Sequence, residues 1–291
     1  MTAGTRFDSL LRDMSHPVRP TRTGAVVILV VLIVLSLAAL VPLYWMFATS
    51  LTPSAMTVRL PPELVPSEPT LDNYRAVLRQ PNFFRWVINS VIQAVSITAV
   101  TVATASMAGY ALAKLPFRGS RTLFWLFILS MMLPFEAILV PLFLVVTRLG
   151  LVDTYLGLLL PLMVSPFSIF LMKQFIQTLP SELLDAARVD GAGEARIFWE
   201  VVLPLVRPGL AFLGIITFVA QWNSFVWPLV VTRSSEMRTL QVGLVLIREQ
   251  EPLFFGLQMA AAVLAAIPVI VIFFSFQRYF LRGVTVGALK G

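Results

Sequence analysis

With 291 residues, 58% of them hydrophobic and only 13% charged, the chain has too few charged side chains to clothe a water-soluble domain, for which about 25% is ordinary; lipid is the solvent for most of it. The absence of cysteine excludes disulfides and thiolate metal sites, and the single histidine, His16, lies in a polar N-terminal arm, which excludes imidazole chemistry inside a bilayer. The formal charge of +7 arises from Lys and Arg scattered through short loops, with no basic helix or run, and reads as a membrane-topology signal and not as nucleic-acid binding.

In chain order, an N-terminal arm (1–23) precedes the first long uncharged run, 24–49. That run exceeds a signal-peptide core and further spans follow it, so it is read as a retained anchor. The segment 50–85 is a long loop rich in proline (Pro53, Pro61, Pro62, Pro66, Pro69, Pro81), with a short helix expected near 71–79. The second span, 86–113, carries Ala99, Ala103, Ala105, Ala108, Gly109, Ala111 and Ala113, small residues that let helix backbones approach closely. The third, 122–147, contains one charge, Glu136, between Pro134 and Pro141, where the helix is expected to kink or break. The fourth, fifth and sixth runs are 154–172, 209–232 and 252–277. Each run is long enough to cross roughly 30 Å of hydrocarbon, and only helices satisfy their own backbone there, so the expectation is an all-α membrane domain of six transmembrane helices over 24–281.

Placing the N-terminus in the cytoplasm puts fourteen of the 22 Lys and Arg residues on the inner side and eight on the outer. This bias predicts both termini inside, loop 50–85 outside, and loop 173–208 and the tail 282–291 inside.

Loop 173–208 reads as structured. Ser181 after Pro180 is expected to cap a helix that places Leu183, Leu184 and Ala187 on one face, with Gly191 as its stop. A second short helix is expected to end before Pro204. No GxxxxGK[ST] or GxGxxG string occurs, so the chain is expected to hold no ATP site of its own, and neither a metal nor a cofactor. Glu136 is the one ionisable group at membrane depth. It reads either as a coupling group or as a carboxyl facing water at the outer mouth or neutral and hydrogen-bonded. Trp222, Asn223, Phe225 and Trp227 combine ring faces with hydrogen-bonding groups, the chemistry that grips sugars. The plainer reading puts both tryptophans in an interfacial belt and makes Asn223 a helix-packing residue. Glu136, Asn89, Gln93, Trp222 and Asn223 together form the candidate substrate path.

The string PSELLDAARVDGAGEARIFWEVVLPLVRPGL (180–210) resembles the EAA loop of permease subunits in binding-protein-dependent ATP-binding-cassette importers: an acidic residue, two alanines, a glycine four positions on, then aliphatic-x-Leu-Pro. Asp185, Ala186, Ala187, Gly191, Val201, Leu203 and Pro204 match it, Asp185 standing where glutamate is usual. TLDNY (70–74), Asn89-Ser90, QWNSFVWPLVV (221–231) and QRYFLRGVTVGALKG (277–291) are similar to segments of the smaller six-span subunit of maltose-type and glycerol-phosphate-type systems. The resemblance implies a type I ABC importer permease fold in a prokaryotic cytoplasmic membrane. It implies four partners: a second homologous permease subunit, two ATPase subunits that bind ATP and Mg, and an extracytoplasmic solute-binding protein. It assigns ATPase coupling to Asp185, Ala186, Ala187, Asp190, Gly191, Leu203 and Pro204, and a contact with the ATPase pair to the tail at Gly287, Lys290 and Gly291. The implied solute is a carbohydrate, with glycerol phosphate or its diesters next. The alternative is an ion- or proton-coupled secondary carrier using Glu136.

Overall fold

The computed structural model describes residues 22–53 and 65–288, with side-chain detail for 23–53 and 65–276. His16 and most of the arm, and Lys290 and Gly291 of the tail, lie outside the described residues. Among the described residues all regular structure is helical. Three helices are each long and apolar enough to cross a membrane: α1 (Arg22–Ser50), α3 (Phe83–Lys114) and α14 (Phe255–Ala288), the last over Phe255–Phe276. A short helix, α2 (Asp72–Leu78), lies between the first two, within the 71–79 stretch where one is expected. The tail expected from 282 continues α14 as far as Ala288, so Gly287 is helical.

The other runs are bent or interrupted helices; the break expected near Pro134 and Pro141 is found in the third, and the fourth and fifth are interrupted as well. The third is α4 (Ser120–Met131) and α5 (Phe135–Arg148), bent by 101°. Pro134 causes the break: it holds an extended conformation (φ −65°, ψ 140°), and the residue before a proline is pushed out of the helical region. Pro141, inside α5, is tolerated without a break. The fourth run is α6 (Tyr155–Leu159), a 3₁₀ turn and α7 (Pro166–Gln177), bent by 44°. Here Thr154 and Ser165 cap α6 and α7, their hydroxyls accepting from Gly157 N (3.2 Å) and Ser168 N (3.3 Å). Thr101 on α3 donates to the Met163 carbonyl freed at the bend, at 3.0 Å. The fifth is α11 (Arg207–Trp222), an irregular step at 223–225, and α12 (Val226–Val231). The chain then passes through α13 (Leu240–Gln250) into α14.

At the centre lies α3, packed mainly on α7 and α11, while α1 packs on α14. Gly109 makes the α3–α7 approach: a Cβ there would meet Lys173 N at 2.8 Å and Met172 C at 3.0 Å. Ala105 is buried beside it, whereas Ala99 and Ala103 face outward, so only part of the small-residue set serves packing.

Candidate functional site

The connector between α7 and α11 folds as α8 (Ser181–Val189), a tight turn, α9 (Glu194–Ile197), a π-helical turn (Phe198–Val202) and α10 (Leu203–Leu205). Pro180, not Ser181, is the N-cap residue of α8, and no side chain bonds its free N–H groups; Ser181 already sits inside the helix. At the other end Gly191 takes φ +81°. Its N–H donates to Arg188 O (3.0 Å) and the Ala192 N–H to Ala187 O (3.0 Å), a paired closure that a side-chain-free residue permits. Pro204 does not stop the second helix. The wider π turn, in which Leu203 N bonds Phe198 O, absorbs a proline that offers no N–H and crowds the preceding turn of a regular helix. The chain bends by 77° only after Leu205, before Arg207 and Pro208.

Of the apolar residues expected on one face of α8, Leu184 is fully buried and Ala187 half-buried against Met172, Ile176, Ile197 and Val202. Burying Leu184 contributes about 1.5–3 kcal/mol to anchoring the helix. Leu183 instead points outward, together with Ala186 and Val189. The paired alanines therefore do different work: Ala187 packs inward and Ala186 lies on the uncovered side.

Polar contacts hang α8 from the last turns of α3. Lys114 Nζ donates to Leu179 O at 2.5 Å and reaches Ser181 Oγ at 3.4 Å, holding the start of α8. Tyr110 donates its hydroxyl to Glu194, Glu194 Oε1 accepts from Arg188 Nε at 2.8 Å, and Arg188 Nη1 pairs with Asp185 at 2.7 Å, holding its end. Asp185 thus meets an arginine of its own helix one turn away. The bonds from Arg188 and then Tyr110 pull the Glu194 carboxyl below its ordinary value; bonds to Glu194 and Asp185 hold the Arg188 guanidinium still more firmly protonated. Asp190, the C-cap residue, is exposed.

The candidate path residues do not form one site. Asn89 is fully buried and structural: its Nδ2 donates to Glu236 O (2.7 Å) and Arg238 O (2.8 Å), and its Oδ1 accepts from Tyr155 (2.7 Å). Trp222 is buried, donates to Ala265 O at 3.0 Å and stacks on Phe218, and buried Trp227 points Nε1 at Gly157 O and Leu158 O; neither belongs to an interfacial belt. Glu136 is exposed in the first turn of α5, where a carboxylate complements the helix dipole. Asn223 is exposed, donating to Val219 O at 2.9 Å with its Oδ1 3.4 Å from Gln241 Nε2. Gln93 is buried and donates to Gln221 Oε1 at 3.3 Å. Sequence reasoning missed Tyr110, Arg188 and Glu194, for which helical spacing gives no warning. It also missed Asp153, which takes φ +62° and accepts from the Arg233 and Ser234 N–H groups at 2.8 and 3.0 Å. Burial opposes its ionisation, but those two backbone bonds prevail and lower its carboxyl. The signal for Asp153 was an acidic residue next to Thr154, a helix-capping type.

The model of the binding-protein-dependent transport system inner membrane components matches residues 105–286. The chain belongs to this family. The arabinooligosaccharides transport system permease protein AraQ of Halalkalibacterium halodurans is 38% identical over 256 residues, covering 87% of this chain and 92% of that protein. AraQ of Bacillus subtilis is 38% identical over 260 residues, 88% of this chain and 92% of that one. The sn-glycerol-3-phosphate transport system permease protein UgpE of Yersinia pestis is 36% identical over 255 residues, 85% of this chain and 91% of that one. A chain in the crystal structure of a bacterial ABC transporter involved in the import of the acidic polysaccharide alginate superposes with a TM-score of 0.80 at 27% identity, over 91% of this chain and 99% of that one. The protein is therefore a membrane-spanning permease subunit of an ATP-driven importer, and the secondary-carrier alternative falls away.

Proposed function

We propose that this permease imports a hydroxyl-rich solute, a carbohydrate or a glycerol phosphate, and that α8 is the part on which an ATPase subunit docks. In this reading both termini and α8 lie in the cytoplasm, in keeping with the excess of Lys and Arg in those segments. ATP and Mg belong to the ATPase pair; a second permease completes the pathway and an external binding protein delivers the solute. The stretch 185–204, with Asp185, Ala186, Asp190 and Gly191 at its tip and Leu203 and Pro204 at its root, passes the ATPase movement to the spans. The tail residues Gly287, Lys290 and Gly291 are assigned to ATPase contact by resemblance alone. The solute class rests on the relatives, which handle arabinooligosaccharides and glycerol phosphate.

One observation carries the docking assignment. The inner side of α8 is tied to α3 at both ends, while its outer side leaves Leu183 46% and Val189 88% exposed, with Ala186 a slim gap between them. A helix anchored on one side and apolar on the other fits a cleft on a partner protein. Ala186→Trp and Val189→Asp each change that outer side without touching the packed one. Both should weaken ATPase co-purification by about 1–3 kcal/mol in binding and abolish uptake. Retention of the ATPase and wild-type uptake by both variants would sink the docking assignment.

A further inference from the structure

Of the interrupted spans of this chain, two flank one cavity: those broken at 132–134 between α4 and α5 and at 223–225 between α11 and α12. A cavity of about 260 Å³ lies between Phe135, the first residue of α5, and Gln221, Ser224, Phe225, Val226 and Trp227 around the second break. The ring of Phe225 also walls a larger groove of about 860 Å³ shared with Gln241, Arg248, Phe255 and Gln258.

Irregular backbone at membrane depth is tolerated where it lines a water-filled cavity or is buried in protein. Behind the smaller cavity stands a further sign of a polar ligand. Gln93 is 1% exposed and gives its amide N–H to Gln221 Oε1, but its own Oε1 has no partner. A buried amide oxygen without a partner is costly unless water or solute hydroxyls reach that pair. At the step itself, Gln241 Nε2 lies 3.4 Å from both Trp222 O and Asn223 Oδ1, a weak attachment that leaves the amide available. The chemistry is selective. Amides and a serine hydroxyl both donate and accept, as sugar hydroxyls do, and an aromatic ring offers an apolar face to a sugar's C–H side.

We propose that Gln221, Ser224, Phe225 and Gln241 form a carbohydrate track across the α11–α12 break, with Phe225 as the platform common to the larger groove and the smaller cavity. Gln93 is a positioning residue that holds Gln221. This inference rests on the importer reading and says where in this chain the solute is handled.

Because the chain has no cysteine, single substitutions report cleanly. In membranes containing the whole importer, with and without ATP plus vanadate, Ser224→Cys and Gln241→Cys are treated with a charged, membrane-impermeant methanethiosulfonate, and Leu229→Cys, an exposed apolar position on α12 that lines neither cavity, serves as the control. The two track positions should react at least about tenfold faster than the control in one of the two states, since only thiols in contact with water ionise readily. Uptake is measured with labelled arabinotriose, maltotriose and glycerol 3-phosphate. For the transported sugar, Phe225→Ala should raise KM about tenfold and Phe225→Tyr only about threefold at most, and that sugar should slow labelling at 224. Slow labelling at both track positions in both states overturns the proposal. Fast labelling with no sugar protection and an unchanged KM in Phe225→Ala also overturns it, leaving only a wet crevice. Transport of glycerol 3-phosphate alone overturns the carbohydrate assignment. Failure of the wild-type chain to co-purify with an ATPase is a different result and strikes the importer reading itself.

Discussion

Two connectors hang from opposite ends of α3, and they are held in opposite ways. On the α3 side the loop 232–239 is latched by buried, uncharged side chains: Trp86 Nε1 on Ser235 O (2.8 Å), Asn89 on Glu236 O and Arg238 O, and Ser90 Oγ accepting from Leu240 N (2.8 Å), while the Asp153 carboxylate holds Arg233 and Ser234 from beyond α3. Gly243 lies so close under Trp86 that a Cβ there would overlap the indole ring. Beyond the buried Leu184, the polar ties of the α8 connector are charges in partial contact with water: the side chains of Arg188, Asp185 and Glu194 are 36%, 63% and 45% exposed. Breaking the first latch leaves polar groups beside the buried end of α3 without partners. Breaking the second releases groups that water can take up again. One end of α3 is held by groups whose partners water cannot easily replace, and the polar ties at the other can be exchanged for water at little cost, in keeping with the docking role proposed for α8.

Asn89→Leu should sharpen this contrast most. It removes three hydrogen bonds and leaves Glu236 O, Arg238 O and the Tyr155 hydroxyl unpaired, a cost of about 3 kcal/mol or more. The purified complex should lose several degrees of thermal stability; an unchanged melting temperature would mean the latch is not rigid. Next comes Gly191→Val, which forces a branched side chain to φ +81° at about 1–2 kcal/mol. Nothing lies within 4 Å of a Cβ at that position, so the penalty is purely conformational. Uptake and ATPase co-purification should fall together while the amount in the membrane holds.

A smaller effect, about 1 kcal/mol, is expected for Tyr110→Phe, which deletes one hydrogen bond between α3 and α9. Its signature is functional: more ATP hydrolysed per solute imported, because α8 moves without carrying α3. An unaltered ratio would show that the tyrosine is merely packed. Least of all, Asp185→Asn should cost about 0–1 kcal/mol and become undetectable at high salt, as exposed ion pairs do. The pH dependence follows from Glu194. Its carboxyl is lowered by Arg188 and Tyr110, so the contact is fully present above the ordinary carboxylate value of 4.5 and is lost as pH falls through the lower native value. Acid, not alkali, should loosen α8, and Glu194→Gln should remove that acid sensitivity of ATP–solute coupling. A wild-type acid response in Glu194→Gln would assign it elsewhere.

The two connectors were also unequally legible. The α8 connector announces itself locally: Asp185, the paired alanines and Gly191 lie within seven consecutive positions, and the glycine turn formed where expected. The latch at the other end joins residues about 150 positions apart, and no local pattern links Asn89 to Arg238. Asn89 and Trp222 looked like substrate groups because polar and aromatic residues in an apolar run attract that reading; in the fold their hydrogen bonds are already taken.

By itself the sequence determined the solvent, the runs that meet the membrane and the existence of a structured connector. Long uncharged runs, scattered basic loops and a glycine at a helix stop are local facts with local physical consequences. Only the tertiary structure decided which of the two prolines breaks the third run, that the fourth and fifth runs are interrupted too, which alanine of the pair faces outward, and which polar groups are already satisfied. Those outcomes depend on partners far along the chain. Proline at 134 bends α4–α5 through 101° while Pro141 passes unbroken, and the same amide chemistry is saturated at Asn89 and left partly unpaired at Gln93.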